Sequence, residues 1–261
     1  MKICVCVKHV PDPTLPMRVD PATRRLVRDP AKSILDPADE YGLEAALRLV
    51  EQHGGETVAV TMGPEVAADA LRRAMAMGAD RSIHIADSAL AGSDVQGTVR
   101  ALAAVIAQES PDLVICATES TDAYTGIVPG ALAAMLGLPQ VTFARSVTVE
   151  GTMITVQRDT ETGYQMIQAT LPALLTVTAS IAEPRYPSFK GMMAAKRKPL
   201  DQRDTAALAV DAASVGEAGA RERVLALDSV RQQKQTRKIT DDGSGDSVET
   251  IVAFLKQIQM I

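Results

Sequence analysis

The feature that most constrains this chain is an alternation of two hydrophobic periods through its first 137 residues. Short runs rich in β-branched residues, Lys2–Lys8 (KICVCVK), Thr57–Met62 (TVAVTM), Ser82–Ala86 (SIHIA) and Leu113–Ala117 (LVICA), read as strands. Helical stripes lie between them. Asp39–His53 carries Leu43, Ala46, Leu47 and Val50 on one face and ends at Gly54-Gly55. Glu65–Met77 stops at Gly78 in a C′ position, Asp94–Gln108 has Asp94 near its N-cap, and Thr125–Leu136 closes on Gly137. Strands alternating with helices across short loops imply crossover connections, and therefore an α/β fold whose mostly parallel sheet has helices on both faces. Sheets of this nucleotide-binding type take ligands in the crevice beyond the carboxyl ends of their strands. The segments after Val7, Met62 and Ala117 are where a small molecule is expected.

After residue 140 the pattern changes. Val141–Val149, Thr152–Gln157, Tyr164–Thr170 and Ala173–Ala179 are strand-like runs joined by turns such as Glu150-Gly151 and Thr162-Gly163, which suggests an added β-meander. Glu183–Pro199 (EPRYPSFKGMMAAKRKP) reads as a loop with a cationic finish. Gln202–Ser247 is rich in Ala, Asp, Gln and Gly with little periodicity, an extended C-terminal arm. Ser247–Ile258 starts with a cap-like pattern and forms a final amphipathic helix. The expected division is an α/β domain over residues 1–200 and an arm and helix over 201–261, and an apolar-faced helix on an arm needs another surface to pack on.

Composition removes several classes of function. The net charge is −5 and the 27 basic residues are scattered, which argues against a nucleic-acid binder held by phosphate neutralisation. Aromatic residues make up 3% with no Trp, leaving little for base stacking. No apolar run approaches the ~18 residues of a membrane span, and the five-residue run ending at Lys8 is too short for a secretory signal core. Three cysteines, Cys4, Cys6 and Cys116, fit a reducing compartment, so a cytoplasmic protein without membrane insertion is expected. A catalytic constellation is hard to find. His9, His53 and His84 sit in different contexts, and HExxH, nucleophile-elbow and CxxC patterns are missing. His53 suits the carboxyl end of a helix dipole, His84 a strand interior. Cys4 and Cys6 alternate on one strand and share a face, and without a second pair they read as packing rather than as metal ligands.

Two segments carry more. Ala117–Gly130 (ATESTDAYTGIVPG) has Gly, Ser or Thr at six of fourteen positions and runs from a strand's carboxyl end into a helix. Backbone N–H groups and the helix dipole there would favour an anion or nucleotide; the plain alternative is a polar loop capping a helix. Asp122 argues against a bare phosphate but could hold a ribose hydroxyl or base edge. In Tyr186–Lys198, Phe189 stands among turn formers, followed by Met192, Met193, Lys196, Arg197 and Lys198. This is either an adaptable docking surface for acidic partners or a solvated charge run with Phe189 in the core.

Taken together, the strings VCVKHVPDP (5–13), LDPADEYGLEAALRL (35–49), VTMGPEVAADALRRAMAMGADRSIHI (60–85), STDAYTGIVP (120–129), GLPQVTFA (137–144), LPALLTV (171–177) and EPRYPSFKGMMAAKRK (183–198) resemble the beta subunit of electron transfer flavoprotein, in its bacterial, FixA-like type. The resemblance implies a heterodimer with an alpha subunit that holds most of one FAD, and a structural AMP in the beta subunit. It also implies electron transfer from acyl-CoA or related flavin dehydrogenases, as in fatty acid β-oxidation, to a quinone oxidoreductase. The AMP contacts it implies are Cys6, then Asp36, Pro37, Ala38 and Asp39, then Met62. In the loop they are Ala117, Thr118, Glu119, Ser120, Thr121, Asp122, Ala123, Tyr124, Thr125, Gly126, Ile127 and Val128, the amides of residues 125–128 facing phosphate. Relatives often have acidic and amide residues where this chain has Ala123, Tyr124, Gly126 and Ile127, so contacts there are expected from the main chain. The family's acid-and-glycine signature is also altered, to Arg158–Gly163. Residues 183–198 resemble the family's recognition loop. Phe189 stands where an apolar anchor, usually Leu, enters the dehydrogenase, and Arg185, Tyr186, Lys190, Met192, Met193, Lys196, Arg197 and Lys198 surround it. Alternatives are a bifurcating complex with a second FAD in the AMP position, a stand-alone nucleotide sensor, or a thiol or metal enzyme built on Cys4 and Cys6.

Overall fold

The computed structural model describes residues 1–227, 236 and 238–261. In chain order the elements begin β1 (Lys2–Cys6), β2 (His9–Pro11), β3 (Val19–Asp20), β4 (Arg25–Leu26), β5 (Ser33–Leu35), α1 (Pro37–His53), β6 (Glu56–Met62), α2 (Ala68–Met77), β7 (Arg81–Ile85), α3 (Val95–Glu109) and β8 (Leu113–Ala117). They continue α4 (Val128–Leu136), β9 (Gln140–Glu150), β10 (Met153–Thr160), β11 (Gly163–Thr170), β12 (Ala173–Val177), α5 (Phe189–Arg197), β13 (Asp201–Arg203), α6 (Gly216–Gly219) and α7 (Asp246–Gln257). Nine strands form one sheet in the order β11-β10-β9-β12-β8-β1-β6-β7-β13. From β9 to β13 every neighbouring pair is parallel, while β9, β10 and β11 pair antiparallel.

Alternation along each strand builds two cores. Ile3, Val5, Leu113, Ile115 and Leu175 point to the face covered by α1 and α2, where they meet Leu43, Leu47, Leu71 and Met75. Cys4, Val58, Val60, Val114, Cys116 and Leu174 point to the other face and meet Val99, Leu102 and Ile106 of α3 and Leu132 of α4. Helices on both faces follow directly from this period of two. The Asp94 carboxylate caps α3 by accepting from Gly97 N at 2.9 Å.

Several elements differ from the sequence reading. α4 begins at Val128 rather than Thr125, because Tyr124 and Gly126 both take positive φ (51° and 62°) and interrupt the helix. β12 does not belong to the meander. It lies parallel between β9 and β8 with all five residues buried, and a continuous apolar run of this kind marks a central parallel strand. The segment read as a loop contains helix α5, capped by Ser188 Oγ accepting from Gly191 N at 3.0 Å. The start of the arm is also ordered: β13 pairs with β7, and Leu208 and Val215 enter the second core. Met1–Leu225 accordingly form one compact unit and Ala226–Ile261 another. The rest of the arm falls partly outside the described residues. α7 begins at Asp246 with Gly245 as its N-cap, so Ser247 lies within the first turn instead of capping it. Among the described residues no helix is long and apolar enough to cross a membrane.

Candidate functional site

At the carboxyl ends of β1, β6 and β8 the structure gathers most of the segments singled out in the sequence. Two buried aspartates tie them together. Asp36, which precedes Pro37, caps α1 by accepting from Ala38 N at 3.0 Å, and its other oxygen accepts from Thr121 N at 2.9 Å. Asp39, in the first turn of the helix, accepts from Lys8 N at 2.7 Å. The strand that ends at Cys6, the start of α1 and the loop after Ala117 are thus held by carboxylate–amide bonds rather than by packing alone. Cys6 and Met62 are half-buried at the ends of their neighbouring strands.

Charge within this cradle is uneven. Burial, reinforced by Asp36, pushes the Asp39 carboxyl well above the ordinary carboxylate range, and the hydrogen bonds from the amides of Lys8 and Ala117 only partly offset it. Burial would also raise Asp122, but two cations outweigh it and hold it low: Lys8 Nζ and an Arg28 guanidinium nitrogen each lie 2.6 Å from its carboxylate. Lys8 Nζ also donates to Ser120 Oγ at 3.2 Å. Lys8 and Arg28 were missed in the sequence. A lysine directly after a strand was a usable signal, whereas Arg28 comes from the exposed excursion between β4 and β5 and carried none. Cys4 and Cys6 are poor nucleophiles, since a hydrogen bond with Cys116 together with burial raises Cys6, and burial raises Cys4.

The loop's donors face outward. Glu119 and Ala123–Ile127 are exposed, Tyr124 to 64%. Ala123 N and Tyr124 N donate to Ser120 O, closing a turn. Among the described residues the N–H groups of Thr125, Gly126, Ile127, Val128 and Gly130 have no hydrogen-bond partner, and Pro129 has no N–H to offer. Thr121 Oγ1 is buried without a partner. The expected phosphate-facing amides therefore straddle the helix start, three in the loop and one at Val128. A buried hydroxyl and a run of free amides form a donor set that suits a phosphate or sugar oxygen. The cradle thus fits a nucleotide.

The second segment is displaced from this crevice, against α1 and α2. Tyr186 is 90% and Phe189 77% exposed, and Met192 and Met193 are exposed beside them. Lys190, Lys196 and Arg197 are exposed as well, while Ala195 is buried. Arg185 and Lys198 are engaged within the chain: Arg185 pairs with Glu44 and Glu51, and Lys198 Nζ donates to Ala79 O at 2.8 Å. Elsewhere His84 Nε2 lies 3.1 Å from Gly63 O inside the sheet, and His53 is the exposed last residue of α1. Among the described residues no cluster of three or more His, Cys, Asp or Glu could hold a metal ion.

Comparison with known proteins adds the following. Residues 23–208 match the family model described as electron transfer flavoprotein domain. The chain is 40% identical over 259 residues, 97% of each chain, to the electron transfer flavoprotein subunit beta of Mycobacterium tuberculosis H37Rv. It is 36% identical to that of Megasphaera elsdenii over 98% of each chain. It is 38% identical over 77% of each chain to subunit CarD of the caffeyl-CoA reductase–Etf complex of Acetobacterium woodii.

Proposed function

This chain belongs to the electron transfer flavoprotein family as a beta subunit, and from that premise we propose that it holds AMP and docks flavin dehydrogenases while an alpha subunit carries most of the FAD. The observation that carries the AMP reading is the set of free amides at Thr125–Val128 in the same loop as the unpartnered Thr121 hydroxyl. These groups would hold the phosphate and sugar oxygens. Cys6 and Met62 would give apolar surface to the base, and Asp36 and Asp39 keep the end of β1, the start of α1 and the loop after β8 in register. Bound FAD supplies the electron-accepting chemistry. The residues of this chain hold, orient and dock.

Docking is assigned to the exposed face of α5. Phe189, with Tyr186, Met192 and Met193 around it, offers an apolar anchor, and Lys190, Lys196 and Arg197 steer the encounter with an acidic surface. The donors are acyl-CoA or related flavin dehydrogenases, and the acceptor is a quinone oxidoreductase, as in fatty acid β-oxidation in the cytoplasm. α7, whose Val248, Ile251, Val252 and Phe254 are exposed, packs on the alpha subunit. A second reading places another FAD in the AMP position of a fixed complex; the likeness to a reductase-complex subunit favours it.

The test is to produce the chain with an alpha-type partner, denature the purified complex and quantify the released nucleotides. One FAD and one AMP per heterodimer is the expected result. Two FAD without AMP would establish the second reading, and a complex without flavin would overturn both.

A further inference from the structure

Helix α5 is fastened to α1 and α2 at three places. Before it, Glu44 of α1 is only 2% exposed, and its carboxylate accepts from Arg185 N at 3.2 Å, Arg185 Nε at 2.7 Å and a terminal Arg185 nitrogen at 3.1 Å. The outer edge of the same guanidinium pairs with Glu51, seven residues or about two helical turns further along α1. Arg48, between the two acids, bonds Glu44 at 2.6 Å and reaches Glu183 O at 3.1 Å. At the carboxyl end of the helix, Arg72 of α2 donates to Ala195 O at 2.6 Å and also to Lys198 O. In the first turn of α5, Gly191 lies against Ala76 O, so close that a Cβ there would stand 2.5 Å from that oxygen.

We propose that Glu44, Glu51 and Arg185 form a positioning clamp that presets α5 for docking, and that Arg185 acts through this clamp rather than by touching the dehydrogenase. The inference rests on the docking role given to α5 above. Its physical basis is the match between one planar five-donor fork and two carboxylates, a geometry that a lysine cannot reproduce. The Glu44 carboxylate has both oxygens occupied, and withdrawing the guanidinium would leave Oε2 short of a donor where water hardly reaches, even with Arg48 still pairing the charge. The segment that leads from Arg185 through Tyr186 to Phe189 is then ordered before any partner arrives, and association does not have to supply that order.

The experiment measures reduction of the intact alpha–beta complex by a flavin dehydrogenase at varied complex concentration. It also follows the rate of tryptic cleavage after Lys190. Arg185→Ala leaves Glu44 neutralised by Arg48, so the fold has a partner for its buried acid. The expected result is a KM for the complex raised about fivefold with kcat held, equivalent to one ordering cost of about 1 kcal/mol, together with faster cleavage. Arg185→Lys should fall between Arg185→Ala and wild type, and Glu51→Gln, at the exposed side of the fork, is the variant to use if Arg185→Ala fails to assemble. Phe189→Ala is the control for docking. If Phe189→Ala raises KM while the Arg185 or Glu51 variant leaves KM and cleavage unchanged, the clamp is overturned and docking stands. If Phe189→Ala has no effect, the docking reading falls and the clamp's role with it.

Discussion

Single residues that serve two structures at once bear most of the site. Asp36 caps α1 with one oxygen and holds Thr121 N with the other. Asp36→Ala removes a cap and strands a part-buried amide, so the complex is expected to lose about 2 kcal/mol of stability and, on the AMP reading proposed above, to retain less nucleotide, both read from urea unfolding and nucleotide content of one preparation. Unchanged stability would show that the loop does not depend on this carboxylate. Half of this residue's role left a signal that the sequence reading, which starts the helix at Asp39, did not take up: an Asp before a Pro that opens a helix is an N-cap pattern. The other half left none, because Thr121 lies 85 positions away and only the sheet order brings it near. Arg28 and Arg185 were opaque for the same reason, since a long side chain says nothing of its target until the fold is known.

Among the elements, α5 shows how a short helix can be defined by what it leans on. Its sequence of Pro, Ser, Lys and Gly gave it the look of a loop, yet Ser188 caps it and α2 supports it. Gly191→Ala would improve intrinsic helix propensity, but the contact with Ala76 O must then widen. Overpacking outweighs propensity here, and the expected outcome is a destabilisation of about 1–3 kcal/mol with a raised KM for the dehydrogenase; a stabilised, fully active variant would show that α5 does not press on α2. The strands taught a similar lesson. β1, β6, β7 and β8 were readable because each is a short apolar run bounded by helical stripes. β12 was misread as part of the meander because short turns precede it, although its uninterrupted LLTV core already pointed to a strand buried on both faces.

In the whole molecule, charge clusters fix the response to acid. Burial would raise Glu44 and Glu109, but Arg185 and Arg48 around the first and Arg81 and Arg203 around the second hold both below the ordinary 4.5. Asp122 is held below 3.8 by Lys8 and Arg28 against its burial. Carboxyls with lowered folded values contribute stability above their ordinary values and lose it as pH falls through the folded ones. Asp39 has the opposite sign: raised above 3.8, it takes up a proton more readily in the folded chain and gains stability as pH falls. Glu51, Glu56, Asp87 and Asp94 are also held low by their hydrogen bonds, so among the described residues the lowered carboxyls outnumber the raised Asp39, and the Tm of the complex is expected to drop between about pH 5 and pH 3, as followed by calorimetry; a rise in that window would mean that Asp39 dominates. The α/β class and the gathering of the singled-out segments beyond the strand ends could be read from periodicity, whereas the extent of the first compact unit could not, because β13 joins the sheet through three polar residues without a hydrophobic pattern. The strand order has one more consequence. β8 lies between β1 and β12, so one flank waits for residues 173–177, and β7 waits for 201–203. A ribosome releases the chain in a different order from the one in which the sheet closes, so the nascent subunit carries bare strand flanks through most of its synthesis.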